Sequence, residues 1–225
     1  ALRFRLTSTI TPGSTGTSGT GEVEDYMTTI AVPTTDFGDW IGAADASSLA
    51  SSNLRMGALA DTEFVSTRNA TAAGDDTTGS DDEDGVTLAV GYNLGAASSL
   101  TVNTTNITGA AAYLNAWIDF NNNNSFADAG EQIATDTLIN TGTNGVNQTV
   151  NFTVPAAAIP GLRGARFRLT STLTPGITGA SGTGEVEDHI VTIFCPTTTV
   201  NPSSFPVPTV GIAYSQTATA TGGTG

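Results

Sequence analysis

The segment Asp119–Glu131 carries oxygen-bearing side chains at alternate positions near its start and closes with acidic residues. In calcium loops of the EF-hand type, the first, third and fifth side chains surround the ion and a later acidic side chain completes the shell. The side chains that would do so here are Asp119, Asn121, Asn123, Asp128 and Glu131. We therefore expect Ca²⁺ to bind this loop. Asn124 is expected at its sharp turn, because asparagine tolerates the left-handed conformation.

Two alternatives remain open for the acidic parts of the chain. An asparagine-rich hairpin turn, whose side chains bond their own backbone, would use the same residues of the 119–131 loop. A weaker candidate for a second cation site is the run Asp81, Asp82, Glu83 and Asp84, which follows Asp75 and Asp76. Runs of like charge are usually solvated loops.

Charged side chains also alternate along two predicted strands. Arg166 and Arg168 share one face of their strand, and Glu185 and Glu187 share one face of theirs, because side chains alternate across a strand. If the strands are neighbours, an arginine–carboxylate ladder follows between them. We interpret this ladder as structural rather than as a ligand site, because paired charges across strands ordinarily stabilise sheets.

No arrangement of residues indicates catalysis. His189 is the only histidine, and the single Cys195 has no evident base. Cys195 also excludes a disulfide within this sequence, although a bond to a cysteine outside it stays open. Trp40 and Trp117 could form a sugar-stacking platform, but buried strand aromatics are the more frequent case. We therefore predict a chain that is not an enzyme.

A domain-sized internal repeat organises the sequence. Shifting the chain by 163 positions (185 − 22) aligns residues 3–35 with residues 166–198, and 8 of the 33 aligned positions differ. The phrase Gly-Glu-Val-Glu-Asp occurs in both copies, followed by Tyr26 in the first and His189 in the second. A role that either ring can fill is packing or a hydrogen bond. A period of this length indicates tandem domains.

The repeat predicts three parts of unequal completeness. Residues 1–35 correspond to the closing strands of a preceding repeat, and residues 36–195 to one complete repeat. From residue 196 the composition shifts towards Pro, Thr and Val, which indicates the start of a different β-module over residues 196–225.

Short apolar runs between Gly, Asn and Pro turns predict strands throughout. Two are expected over residues 2–9 and 22–32, and a short helix is expected over residues 44–50, where Ala and Ser predominate. Seven more strands are expected over residues 86–92, 98–104, 112–119, 132–139, 148–154, 165–172 and 185–194. This spacing predicts an all-β fold: a jelly-roll-like antiparallel β-sandwich with long surface loops, flanked by partial β-modules.

The charge balance excludes several partners. The chain has 7 basic residues, all arginine, against 21 acidic ones, for a net charge of −14. Such a chain repels nucleic acid and anionic membrane surfaces. No run approaches the ~20 apolar residues of a membrane span, so no membrane insertion is expected. Abundant Gly, Ser, Thr and Asn with 12% charged residues are typical of secreted β-proteins, which favours an extracellular or cell-surface location.

Six phrases stand in a familiar order, over residues 36–39, 81–86, 116–121, 130–133, 166–169 and 184–188. With these phrases the middle region resembles the GEVED domain of bacterial secreted and surface proteins. The resemblance implies a β-sandwich accessory module of adhesins or secreted enzymes, usually without a catalytic role. His189 departs from the family's usual tyrosine, and asparagines replace its Asp-Gly-Asp. Residues 202–225 similarly resemble the start of an immunoglobulin-like bacterial surface repeat.

Together these patterns predict a structural or adhesive segment of a large bacterial surface protein, stiffened by Ca²⁺. Its partners would be other copies of itself or flanking β-modules, joined head to tail by strand addition into a filament or tandem array. The alternative is a carbohydrate-binding accessory module of a secreted hydrolase, with surface glycans as its ligands. An exposed row of aromatic side chains would favour that alternative.

Overall fold

A computed structural model describes residues 1–11, 13–74 and 82–223 of the chain. These residues form fifteen β-strands and no helix, so the fold is all-β as predicted. They accordingly include no helix that is long and apolar enough to cross a membrane. The chain divides into two compact units, Ala1–Pro33 and Thr34–Gly225, which we call unit 1 and unit 2.

Unit 1 is an antiparallel hairpin of strands β1 (Leu2–Thr7) and β2 (Gly21–Tyr26). The register pairs Leu2 with Tyr26 and Thr7 with Gly21. The second strand therefore ends earlier than the prediction of residues 22–32, because its partner strand starts at Leu2 and pairs no further.

Unit 2 contains the remaining strands. They are β3 (Thr35–Phe37), β4 (Ala46–Leu49), β5 (Leu54–Met56), β6 (Val86–Thr87), β7 (Tyr92–Asn93), β8 (Ala97–Asn106), β9 (Ala112–Ile118), β10 (Gln132–Ile139), β11 (Thr143–Thr153), β12 (Gly161–Thr170), β13 (Gly179–Phe194), β14 (Thr199–Asn201) and β15 (Thr219–Thr221). The larger sheet has the order β10-β9-β12-β13-β4-β3, with β7 also on β13. The smaller sheet has the order β11-β8-β5, with β6 also on β8. Strands β14 and β15 pair only with each other among the described residues.

The two sheets of unit 2 enclose the main apolar core. The larger sheet contributes buried side chains such as Leu114, Phe167 and Ile193, and the smaller sheet contributes Leu54 and Val102. Along each strand, the side chains that face this core lie two positions apart, because alternate residues point to the same face of a sheet. Burial of one face of each sheet therefore accounts for the alternation of apolar and polar residues in the sequence. This two-layer packing agrees with the predicted sandwich.

A second, smaller core covers the outer face of the larger sheet. Trp40, Trp117 and Phe126 are buried there, and the rings of Trp40 and Phe126 lie 5.4 Å apart. Trp40 reaches the sheet because Gly164 has no side chain: a Cβ on Gly164 would lie 2.3 Å from the indole ring. The two tryptophans are thus core residues rather than an exposed platform.

The pairing differs from the sequence prediction in two places. The predicted helix over residues 44–50 is wrong, because Ala46–Leu49 is strand β4, held between β3 and β13. A seven-residue helix is marginal alone, and sheet pairing satisfies this backbone instead. In addition, β13 runs parallel to both β4 and β7, so the larger sheet is mixed rather than purely antiparallel.

Candidate functional site

The Asp119–Glu131 loop connects β9 to β10 and folds around its own buried carboxylates. Asp119 is fully buried, and its carboxylate oxygens accept the backbone N–H groups of Asn123 at 3.2 Å and Asn124 at 3.0 Å. Asn121 Oδ1 accepts a second bond from the Asn123 N–H at 3.1 Å. Asn124 has a φ of 63°, the left-handed conformation that the sequence predicted for it.

The acidic end of the loop is also bonded internally. The buried Glu131 carboxylate accepts the backbone N–H groups of Asp128 at 3.2 Å and Asn121 at 3.4 Å. The Asn123 side-chain amide donates to Asp128 Oδ2 at 2.7 Å. Burial raises the pKa of Glu131, and its two backbone donors oppose that rise.

All five predicted ligand residues of the loop therefore lie close together. Their oxygens bond loop donors, the pattern that the self-bonded turn also requires. In the described part of the chain, no three or more His, Cys, Asp or Glu side chains are placed to hold a metal ion. The calcium hypothesis for this loop stays a prediction.

The second acidic run lies only partly within the described residues, since Asp81, like Asp75 and Asp76, falls outside them. Asp82 is buried and accepts the Asp61 N–H at 3.0 Å. Asp84 accepts the Ala58 N–H at 2.9 Å. Asp82 and Asp84 thus accept hydrogen bonds from the segment that follows β5. Glu83 is partly buried.

The predicted charge ladder is half right. Strands β12 and β13 are neighbours, and Arg166 lies opposite Asp188. The guanidinium contacts that carboxylate through two bonds, Nε to Oδ1 at 2.8 Å and Nη2 to Oδ2 at 2.7 Å, with both side chains fully buried. Glu185 and Glu187, however, lie opposite Leu169 and Phe167.

The two glutamates therefore share the opposite face of the sheet from the arginines, and the ladder between them is wrong. The reason is the register in which β12 and β13 pair. A shift of this pairing by one residue moves every side chain of a strand to the other face of the sheet. The sequence of neither strand specifies which register forms. Arg168 instead donates to the backbone carbonyls of Gly176 at 2.5 Å, Ser47 at 2.7 Å and Gly179 at 3.1 Å.

Arg166 binds backbone in the same way. Its Nη1 donates to the carbonyls of Ala44 and Ile177, each at 2.8 Å. The two arginines thus connect β12 to the β12–β13 loop and to the segment that contains β4. We call Arg166, Arg168 and Asp188 the arginine network.

Unit 1 contains the same network 163 positions earlier. Arg3 contacts Asp25 through two bonds of 2.6 Å and donates to the Ser14 carbonyl at 2.8 Å. Arg5 donates to the carbonyls of Gly13 at 2.5 Å and Gly16 at 2.6 Å. These arginine bonds follow from the repeated hairpin itself, because they form in both units.

The glutamates of β13 accept hydrogen bonds from the smaller sheet and from the loop that precedes β6. Glu185 Oε2 accepts the backbone N–H of Met56 in β5, and Glu187 Oε1 accepts the backbone N–H of Gly85 at 3.0 Å. Glu187 Oε2 lies 2.9 Å from His189 Nε2. In unit 1 the equivalent Tyr26 hydroxyl donates to Glu24, so both rings bind the equivalent glutamate.

Carboxylates from three other segments of unit 2 lie near these glutamates or near the chain that they contact. Asp36 of β3 is buried and accepts the Val186 N–H at 2.6 Å, and Glu63 accepts the Phe37 N–H at 3.1 Å. Together with Asp82 these residues form what we call the carboxylate cluster: Asp36, Glu63, Asp82, Glu185 and Glu187.

Mutual repulsion within the cluster affects its titration. Burial raises the pKa of Asp36 well above its usual range, and the negative charges of Asp82, Glu63 and Glu187 add to the rise. Burial likewise raises the pKa of Glu185, followed by the charges of Glu187 and Asp36. Burial also raises the pKa of Glu187, against the effect of His189.

The sequence reasoning did not place Asp36 or Glu63 in a site. Asp36 is the first residue of the Asp36–Asp39 phrase, but its position is more than a hundred residues from Glu185 along the chain. Composition and spacing carry no signal for such a long-range contact. Glu63 lies in a loop without any pattern.

One comparison with known proteins bears on these residues. Residues 113–192 match the sequence model of the GEVED domain. The match begins within β9 and ends within β13, and so includes the arginine network, the two buried glutamates and the 119–131 loop. No curated protein matches the chain.

Proposed function

We propose that this chain is a non-enzymatic structural or adhesive repeat segment of a large extracellular bacterial surface protein. The observation that supports it best is the repetition of the arginine network. In both units the charged side chains bind neighbouring strands and loop carbonyls. Residues used in this way build a module rather than act on a substrate.

Apolar side chains of unit 1 support assembly with other β-modules. Phe4 and Leu6 are 58% and 76% exposed, whereas their equivalents Phe167 and Leu169 are fully buried. Apolar patches and sheet edges of this kind mark interaction surfaces. We infer that other copies of the chain or flanking β-modules cover them by strand addition, in a head-to-tail filament or tandem array.

Calcium in the 119–131 loop is part of the proposal. The ion would replace the internal bonds of Asp119, Asp128 and Glu131 and fix the connection between β9 and β10. The net charge of −14 favours cations as small partners.

The assembly is tested by sedimentation velocity and electron microscopy of the full chain over a range of concentrations. We expect species that grow with concentration and extend into filaments. The double variant Phe4→Ser/Leu6→Ser should reduce this growth. Val90→Ser, which changes a side chain that is 92% exposed in unit 2, is the matched control and should leave it intact. A monomer at every concentration contradicts the assembly.

The alternative, a carbohydrate-binding accessory module, receives less support. Trp40 and Trp117 are buried and cannot stack on a sugar from solution. Saturable binding on a glycan array by a chain that does not assemble would favour this alternative. Absence of glycan binding together with concentration-dependent assembly would favour the structural segment.

A further inference from the structure

The closing hairpin of unit 2, β12 and β13, is paired along both of its outer edges. Strand β12 pairs with β9, and β13 pairs with β4 and β7. We call residues 34–160, which contain β3–β11, the shell. The equivalent hairpin of unit 1 forms in the same register. Within the described residues, however, β1 and β2 pair only with each other, so both of their outer edges lack a neighbouring strand.

On one face of the hairpin, the arginine network makes three bonds to the backbone of the shell. The arginines donate to the carbonyls of Ala44 at 2.8 Å and Ser47 at 2.7 Å. The aspartate accepts the Trp40 N–H at 2.9 Å. The side chains of unit 1 that would make the same bonds are Arg3, Arg5 and Asp25.

On the other face, the two glutamates of β13 accept shell N–H groups. These are the N–H groups of Met56 and of Gly85, the latter at 3.0 Å. The β13 backbone in turn donates to the Asp36 carboxylate at 2.6 Å. The equivalent groups of unit 1 are the carboxylates of Glu22 and Glu24 and the N–H of Val23. Donors and acceptors of the shell thus match those of the unit 1 hairpin group by group.

Apolar side chains of unit 1 match what the shell buries. Phe4 and Leu6 are the exposed equivalents of two side chains that lie in the main core against β5 and β8. Val23 is 49% exposed, whereas its equivalent Val186 is 1% exposed. A two-stranded hairpin is marginal alone and needs such a face covered.

The hairpin of unit 1 already has the internal geometry that the shell contacts in unit 2. The rings of Phe4 and Tyr26 meet edge to face, with centroids 5.9 Å apart and an interplanar angle of 75°. The equivalent rings in unit 2 are 5.7 Å apart at the same angle. An element whose internal contacts exist before binding loses less conformational freedom when its partner binds.

We propose that unit 1 docks into a second shell, supplied by another GEVED-like repeat that has strands of the β3–β11 type. A β9-type strand would pair with β1, and a β4-type strand would pair with β2. Hydrogen-bond complementarity selects this partner, because the same groups already bind the shell in unit 2. An intact unit 2 cannot serve, since its β9 and β4 already pair with β12 and β13.

This inference rests on the proposed function and specifies which flanking β-module covers unit 1. The two can fail separately. A chain that remains monomeric contradicts the assembly of copies but leaves docking into a second shell intact.

The test joins residues 36–163 to the front of the full chain, so that they precede Ala1 as they precede Gly164, its equivalent (164 − 163 = 1). Hydrogen–deuterium exchange with mass spectrometry then reports on β1 and β2 in the original and the extended chain. We expect the amides of both strands to exchange at least about tenfold more slowly in the extended chain, because a second shell pairs their edges and prevents local opening.

A matched pair of variants in the extended chain tests whether the docking is specific. Val23→Ser should reduce the protection of β1 and β2, because the equivalent of Val23 is buried in unit 2. Ile10→Ser should leave it unchanged, because Ile10 is 89% exposed and its equivalent Leu173 is 57% exposed. Equal effects of the two substitutions would overturn the proposal.

Two further results would also overturn it. One is exchange in β1 and β2 that the added shell does not slow. The other is protection in the original chain that increases with concentration and already equals that of β12 and β13, since a second copy would then be the occupant. If circular dichroism shows that the extended chain does not fold, residues 36–163 are refolded as a separate chain with the full chain. Absence of protection there too would overturn the proposal.

Discussion

Arg166 and Arg3 bind the equivalent aspartate and the equivalent loop carbonyl, but in different surroundings. Arg166 and Asp188 are fully buried, whereas the side chains of Arg3 and Asp25 are 45% and 56% exposed. Breaking a buried pair leaves the other charge without a partner, while water solvates the remaining group of an exposed pair. The repeat thus supplies an internal control for the stabilising effect of a buried ion pair.

Arg166→Ala should lower the free energy of unfolding of unit 2 by about 3–5 kcal/mol, because it leaves Asp188 buried and uncompensated. Urea unfolding followed by tryptophan fluorescence measures this, since Trp40 and Trp117 both lie in unit 2. Arg3→Ala is the control and should leave the tryptophan-reported midpoint unchanged. Equal effects of the two substitutions would refute the argument.

The carboxylate cluster predicts an unusual pH dependence in the presence of a chelator. The pKa values of Asp36, Glu185 and Glu187 are raised in the folded state. Groups of this kind stabilise the fold fully below their unfolded pKa of about 4, and the stabilisation is lost as pH rises through the folded pKa. Stability should therefore fall as pH increases above about 4.

Urea midpoints measured in EDTA at increasing pH test this fall. Asp82 and Glu63 repel the same groups, while His189 and Arg168 oppose the effect from β13 and β12. Asp36→Asn removes one of the raised groups, so its profile should be flatter than that of the wild type. A stability that increases with pH in both proteins would contradict the prediction.

Residue types were predictable here, but their partners were not. Sequence alternation correctly placed Arg166 and Arg168 on one face of a strand next to the Glu185–Asp188 strand. The face that the glutamates occupy depends on register, which the turn and the whole core determine together. The contact of Asp36 with Val186 depends on chain topology, to which local spacing carries no clue.

At the scale of elements, the first glycine of the repeated phrase determines how closely β12 and β13 approach. Gly184 has a φ of 146°, and a Cβ there would lie 1.8 Å from the Leu169 carbonyl oxygen. Gly21 of unit 1 has a φ of 159° and the same 1.8 Å approach to the Leu6 oxygen. The hairpin therefore requires glycine at this position in both copies.

Gly184→Ala should destabilise unit 2 by about 1–3 kcal/mol, because the added methyl group forces the backbone of the two strands apart. Gly109→Ala is the control: Gly109 has a φ of 87°, but a Cβ there would contact nothing within 4 Å. Differential scanning calorimetry should show a larger loss for Gly184→Ala. Equal losses of stability in the two variants would mean that the strain of a positive φ, and not the contact with the neighbouring strand, determines how much an added methyl group destabilises the fold.

Element boundaries followed from the sequence where alternation and turns agree. The prediction for residues 132–139 coincides with β10. The prediction for residues 44–50 failed because the strand character of β4 comes from its neighbours β3 and β13, and pairing of this kind overrides a weak local preference. The predicted strand over residues 86–92 is instead the separate β6 and β7, which pair with different sheets.

At the scale of the molecule, the acidity of the chain leads us to expect that its stability depends on cations. The net charge of −14 disfavours the compact state through self-repulsion. Binding of an ion by the folded chain alone stabilises it by mass action. The stability of unit 2 should therefore depend on divalent cations more than on monovalent salt.

EDTA should lower the melting temperature of the calcium-loaded chain, and added CaCl₂ should restore it. Asp119→Asn removes a carboxylate from the 119–131 loop and should reduce the part of the shift that this loop contributes. Sodium chloride at equal ionic strength controls for screening. A melting temperature that does not respond to either reagent would count against calcium in the loop.

The parallel pairing of β4 with β13 has a mechanical consequence. Tension applied to unit 2 between β3 and the end of β13 would peel β3 away first, because β3 runs antiparallel to β4. It would then pull β4 and β13 along each other, so that their hydrogen bonds share the force. Arg166 and Arg168 resist the same sliding, since they hold the carbonyls of Ala44 and Ser47. In a surface segment under shear, the buried arginines would determine the force at which the module yields.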